Sequence, residues 1–66
     1  MKLTNREYEV LSLVVKGHSD KEIGKTLNIS TRTVQTHVRR IYTKFGVNNR
    51  VGATAKFLEE RDLHTA

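Results

Sequence analysis

The chain has 66 residues, 12 Lys and Arg against 7 Asp and Glu, 3 His, no Cys, no Pro and a formal charge of +5. That length allows one small domain, below the roughly 100–200 residues usual for one, and with 36% hydrophobic and 6% aromatic residues its core must be thin and aliphatic. Lack of cysteine excludes a disulfide framework and thiolate zinc sites; with three separated histidines, no metal and no cofactor are expected. No apolar run approaches the roughly 18 residues of a membrane span and no signal-peptide pattern opens the chain, so a cytoplasmic protein is expected.

Thr4-Asn5-Arg6-Glu7 has the spacing of a capping box, a hydroxyl at the N-cap and a carboxylate three residues on. It opens a helix carrying Tyr8, Val10, Leu11, Leu13, Val14 and Val15, ended by Gly17, which tolerates positive φ. Ser19-Asp20-Lys21-Glu22 repeats the box and starts a short helix through Ile23 to Leu27, closed near Asn28. Ser30 caps a third helix from about Thr31 to Phe45, stopped by Gly46. Asn48 or Asn49 caps a fourth, from about Arg50 to Glu60, followed by a polar tail. Nothing reads as a strand, linker or repeat. The expected fold is all-α: one domain over 1–66, with a helix-turn-helix at about 20–45 and a fourth helix at about 49–60.

Charge is unevenly placed. Between Glu22 and Glu59 there is no acidic residue, while Lys25, Arg32, Arg39, Arg40, Lys44, Arg50 and Lys56 all lie in that stretch. One sign of charge over so long a segment is the footprint of a polyanion partner. A solvated helix face would mix both signs into i,i+4 pairs.

Phase on the third helix divides it in two. At about 100° per residue, Val34, Val38, Ile41 and Phe45 share one stripe, the expected buried face. Opposite lie Arg32, Thr36, Arg39 and Thr43, flanked by Gln35 on one side and by Arg40 and Thr33 on the other. Thr and Gln offer hydrogen bonds to base edges, and Arg offers a fork for guanine O6 and N7. Only Asn28, Ile29 and Ser30 join the second and third helices. So short a turn forces a steep angle, the geometry of a helix-turn-helix, with Ile29 plugging the corner. In such a pair the first helix crosses the backbone and the second enters the major groove.

These residues carry a family resemblance. Leu3-Thr4-Asn5-Arg6-Glu7-Tyr8-Glu9-Val10-Leu11, Gly17-His18-Ser19-Asp20-Lys21-Glu22-Ile23, Ile29-Ser30-Thr31-Arg32-Thr33-Val34-Gln35-Thr36-His37-Val38 and Lys44-Phe45-Gly46-Val47-Asn48-Asn49-Arg50 resemble, in order and spacing, the LuxR/FixJ/GerE-type DNA-binding domain. The similarity covers about residues 3–58. It implies a four-helix domain of a bacterial transcription regulator, often the output half of a response regulator or quorum sensor. Its third helix would read double-stranded DNA and its fourth often supports dimerisation.

Carried over position by position, the resemblance places base reading on Gln35, Thr36 and Arg39. It places backbone contacts on Thr31, Arg32, Thr33, Arg40 and Lys44. Lys21, beside the N-terminus of the second helix, is a further backbone candidate, since helix N-termini favour phosphate. Gly24 and Gly52 stand where the family tends to have helix formers; for Gly24, where Ala is usual, the expected cost is up to about 1 kcal/mol of helix propensity.

Other residues carry plainer readings. His37 has no ligand or carboxylate at i±3 or i±4, so packing or a phosphate contact is expected rather than metal binding or general-base chemistry. Glu7 and Glu22 complete caps, Tyr8 and Tyr42 edge the core, and Arg50 suits a phosphate contact and an internal salt bridge equally. On the fourth helix Val51, Ala55 and Leu58 form one apolar face, and Ala53 and Phe57 the other. The resemblance turns Ala53 inward, leaving Val51, Ala55 and Leu58 as the expected face of a two-fold homodimer. RNA polymerase is a further candidate partner. A sigma-factor region-four module and a helical domain for an acidic protein are the alternatives; the helix after Gly46 argues against the first. No paired carboxylates, phosphate loop or activated nucleophile points to an enzyme.

Overall fold

Four helices follow in order in the computed structural model, which describes residues 3–65 and side chains as far as Glu60. They are α1 (Asn5–Val15), α2 (Asp20–Leu27), α3 (Thr31–Phe45) and α4 (Arg50–Thr65), with no strand among the described residues. Each start is capped as its residue types dictate. The Thr4 hydroxyl accepts from the Glu7 N–H and the Glu7 carboxylate accepts from the Thr4 N–H; Ser19 and Glu22 repeat this at α2. Ser30 caps α3 through the Thr33 N–H. Of the two asparagines before α4 it is Asn49 that caps, its Oδ1 accepting from the Gly52 N–H.

The first three helices end alike. Gly17, Asn28 and Gly46 adopt positive φ, and the residue after each, His18, Ile29 and Val47, donates its N–H five residues back. This is the paired-bond terminus that satisfies the last carbonyls and turns the chain sharply. Helix α4 runs past the expected end at Glu60, because residues 59–65 contain neither Gly nor Pro to stop it.

The core is a single aliphatic cluster. Val10, Leu11 and Val14 of α1 meet Ile23 of α2, the stripe Val34, Val38, Ile41 and Phe45 of α3, and Ala53 and Phe57 of α4. Burial of each large side chain contributes about 1.5–3 kcal/mol. Helix α1 touches all three others, and α3 lies across α1 and α2.

One ion pair among the described residues runs along this core. Lys44 Nζ lies 2.6 Å from Glu7 Oε1, and the Glu7 residue is only 2% exposed. Lys44, to which the resemblance assigns a backbone contact, turns back to α1, where a carboxylate 37 residues away holds it. The Lys44 hydrogen bond, then the Thr4 N–H, keep the Glu7 carboxyl below the ordinary glutamate range despite its burial. Removing one partner of such a pair strands the other charge.

Lys44→Ala should therefore destabilise the domain by on the order of 2–3 kcal/mol, lowering the thermal midpoint by about 10–20 °C. Because the native pKa of Glu7 is depressed, its contribution is complete above the unfolded value of about 4.3 and is lost as pH falls through the lower native one. Thermal melts of Glu7→Gln between about pH 5 and pH 3 should thus depend less on pH than those of the wild type. Equal slopes would remove Glu7 from the acid response.

Candidate nucleic-acid interface

The outer face of α3 is built by default: once Val34, Val38, Ile41 and Phe45 are buried, the residues half a turn away must face solvent. Arg32, Gln35, Arg39, Arg40 and Thr43 are exposed, as are Thr31 and Thr33 in the first turn. Thr36 is half-buried; its hydroxyl donates to the Arg32 carbonyl at 3.2 Å, and Thr43 repeats this onto Arg39 at 3.1 Å. Both threonines keep oxygen lone pairs and a methyl for other contacts. The Thr33 hydroxyl sits 2.9 Å from that of Ser30, within the cap.

Electrostatics sharpen this face. Among the described residues Arg32, Arg39 and Arg40 form no ion pair, whereas the nearby acids are engaged elsewhere: Glu7 with Lys44, Glu9 with Arg6, Asp20 with Arg50. Glu22 is held by the Ser19 N–H and hydroxyl, which lower its pKa. Lys21, in the first turn of α2, is exposed. His37 is half-buried at the edge of the packed stripe, with its Nδ1 buried and without a hydrogen-bond partner. Among the described residues no three His, Asp or Glu side chains gather as metal ligands.

Two positions read differently in space. Arg50 takes the internal option: its guanidinium donates to Asp20 Oδ1 at 2.6 Å and to the His18 carbonyl at 3.1 Å. Gly24 is not a weak spot awaiting alanine. A Cβ there would stand 2.7 Å from the Ile29 carbonyl oxygen and 3.5 Å from the Thr31 nitrogen. The start of α3 lies directly on α2 at this point, so an added methyl requires the turn to shift. Gly52 likewise gives room to Val47, whose Cβ would be 3.0 Å from an added methyl.

Comparisons with known proteins supply the family of this helix-turn-helix. The model of the family described as bacterial regulatory proteins, luxR family (GerE), matches residues 1–57. The chain belongs to the LuxR family. Among its LuxR-family relatives, the nitrate/nitrite response regulator protein NarP of Escherichia coli (strain K12) is 46% identical over 59 residues, 89% of this chain and 27% of NarP. The HTH-type transcriptional regulator MalT of Klebsiella pneumoniae (strain 342) is 41% identical over 51 residues, 77% of this chain and 6% of MalT. Among solved structures, the response regulator ChrA of a heme-sensing two-component system superposes with a TM-score of 0.88 at 38% identity, over 92% of this chain and 30% of ChrA. This chain thus spans about a quarter of NarP and less of MalT. Family membership makes it a transcription-regulator domain and implies DNA binding. No described helix is long and apolar enough to cross a membrane.

Gly24→Ala tests the close approach that aims α3. If the turn is as tight as the Ile29 contact indicates, alanine should lower the thermal midpoint despite its better helix propensity. A midpoint raised by alanine would show that the turn relaxes freely.

Proposed function

We propose that this domain binds double-stranded DNA sequence-specifically with α3 in the major groove, and that it acts as a homodimer on two half-sites. The observation that carries the reading is the clean division of α3. Its apolar stripe is buried, and among the described residues Arg32, Arg39 and Arg40 stand unpaired on the other side without a carboxylate between them.

Gln35, Thr36 and Arg39 are the base-reading residues in this proposal. Gln35 suits the donor–acceptor pair of adenine and Arg39 the two acceptors of guanine. Thr36, with its proton already given to Arg32, offers an acceptor and a methyl for the thymine methyl group. Arg32 and Arg40 supply charge to flanking phosphates, with the Thr31 and Thr33 hydroxyls beside them and Lys21 at the start of α2. Lys44 leaves this set, since Glu7 holds its ammonium.

Dimerisation is assigned to α4. Val51 is 79% exposed and Leu58 46%, with Ala55 exposed between them, forming a shallow apolar groove with Thr54 and Arg50. A self-complementary strip of this kind suits a two-fold axis. NarP and ChrA are both response regulators by description, which supports reading the domain as the output end of a signal-receiving regulator in the bacterial cytoplasm. RNA polymerase is the further partner that role invites.

Arg39→Ala should cost about 1–3 kcal/mol on a site selected from a random duplex pool and relax the preference at one base pair. Equal weakening on all duplexes would make Arg39 a phosphate contact only. Leu58→Asp should abolish cooperative filling of paired half-sites in gel-shift titrations while circular dichroism shows the helices intact. Surviving cooperativity would return the α4 groove to some other use.

A further inference from the structure

Among the described residues, helix α4 packs on α1 and α3 through one buried stripe, Ala53 and Phe57, with the Phe57 ring 5.5 Å from that of Tyr8 on α1. Among the described residues, the bodies of α2 and α4 do not pack on each other. What links them is the Arg50 guanidinium, which starts α4 and reaches Asp20, the first residue of α2, together with the His18 carbonyl just before it. A single apolar stripe resists separation of two helices but resists rocking poorly. A planar fork gripping two acceptors at one end supplies the missing restraint.

The pair adds little to overall stability. The side chains of Arg50 and Asp20 are 42% and 28% exposed, and ion pairs so open to water contribute little. Their placement is what matters. Asp20 precedes Lys21, proposed above for the phosphate backbone, and Arg50 precedes Val51, proposed for the dimer face. The two proposed contact surfaces therefore meet through one guanidinium.

We infer that Arg50 is a positioning residue: by clamping the start of α4 to the start of α2, it sets the angle between the dimerising helix and the DNA-reading pair, and so the half-site spacing that the dimer accepts. The inference rests on the proposed dimeric reading. Displacing one half-site by a base pair moves it along the duplex and rotates it around the axis, so a rigid dimer rejects the change and a loosened one absorbs it.

The test compares wild type, Arg50→Ala, Asp20→Asn and Arg50→Lys on duplexes whose half-sites are moved stepwise by single base pairs. For the wild type we expect a penalty of about tenfold in affinity per step away from the best spacing, shrinking to about twofold in Arg50→Ala and Asp20→Asn. Affinity for an isolated half-site should not fall in Asp20→Asn, which removes a negative charge beside Lys21, and the spacing penalty of Arg50→Lys should fall between, since an ammonium reaches one acceptor at a time. A second readout needs no DNA. The chain has no cysteine, so spin labels at Thr26→Cys and Lys56→Cys report the α2–α4 distance distribution, which should broaden when Asp20→Asn is added. An unchanged spacing profile, or an unbroadened distribution, overturns the inference while leaving a cooperative wild type, and so the dimer, in place. A wild type that fills paired half-sites independently overturns the dimeric reading and the inference with it.

Discussion

Burial of four side chains on one helix, Val34, Val38, Ile41 and Phe45, governs the rest of this molecule. A chain of 66 residues has few apolar groups to spend, and a domain of this size is marginal even when well packed. Nearly half of the buried cluster therefore comes from α3, which cannot rotate about its axis without exposing it. Rotational locking is what gives the opposite face its meaning. Arg32 and Arg39 are held outward because the energy of the aliphatic stripe forbids any other phase, and a surface that is to read a duplex needs that rigidity more than it needs affinity.

The carboxylates serve the same end from a distance. Glu7 and Glu22 close capping boxes, and Glu7, Glu9 and Asp20 each hold a cation of their own. The acids of α1 and of the start of α2 organise helix ends and pair with cations without placing a carboxylate on α3. Placing even one of them on α3 would have bonded an arginine into an i,i+4 pair, at the cost of a charge meant for solvent or a polyanion.

Local signals made most of the architecture legible. Thr4, Ser19 and Ser30 as caps, and Gly17, Asn28 and Gly46 as terminators, act over four or five residues, so their outcome is decided without knowing the tertiary fold. Periodicity on α3 was legible for the same reason. The misreadings share the opposite character. Gly24 reads as a lapse in helix propensity until the Ile29 carbonyl is seen against it, and that contact depends on how steeply two helices cross. The sequence ends α4 near Glu60, where its apolar pattern stops, yet the helix continues to Thr65 because no Gly or Pro interrupts it.

Lys44 and Arg50 are the sharper case, because both lie in the acid-free stretch that first suggested a polyanion. Away from the ends of such a stretch no carboxylate lies within three or four residues, so the pairs that Lys44 and Arg50 make are tertiary. Lys44 reaches Glu7 across 37 residues and Arg50 reaches Asp20 across 30. Both stand near the ends of their helices, where a long side chain can pass the neighbouring element, whereas Arg32, Arg39 and Arg40 lie on the exposed face of α3 and pair with no acid among the described residues. The same block of charge therefore does two jobs divided by geometry. Cations within reach of the acidic half clamp the fold, and those turned from it remain available for a polyanion. Net charge counts them together, which is why it points to a partner class but cannot say which side chains meet that partner.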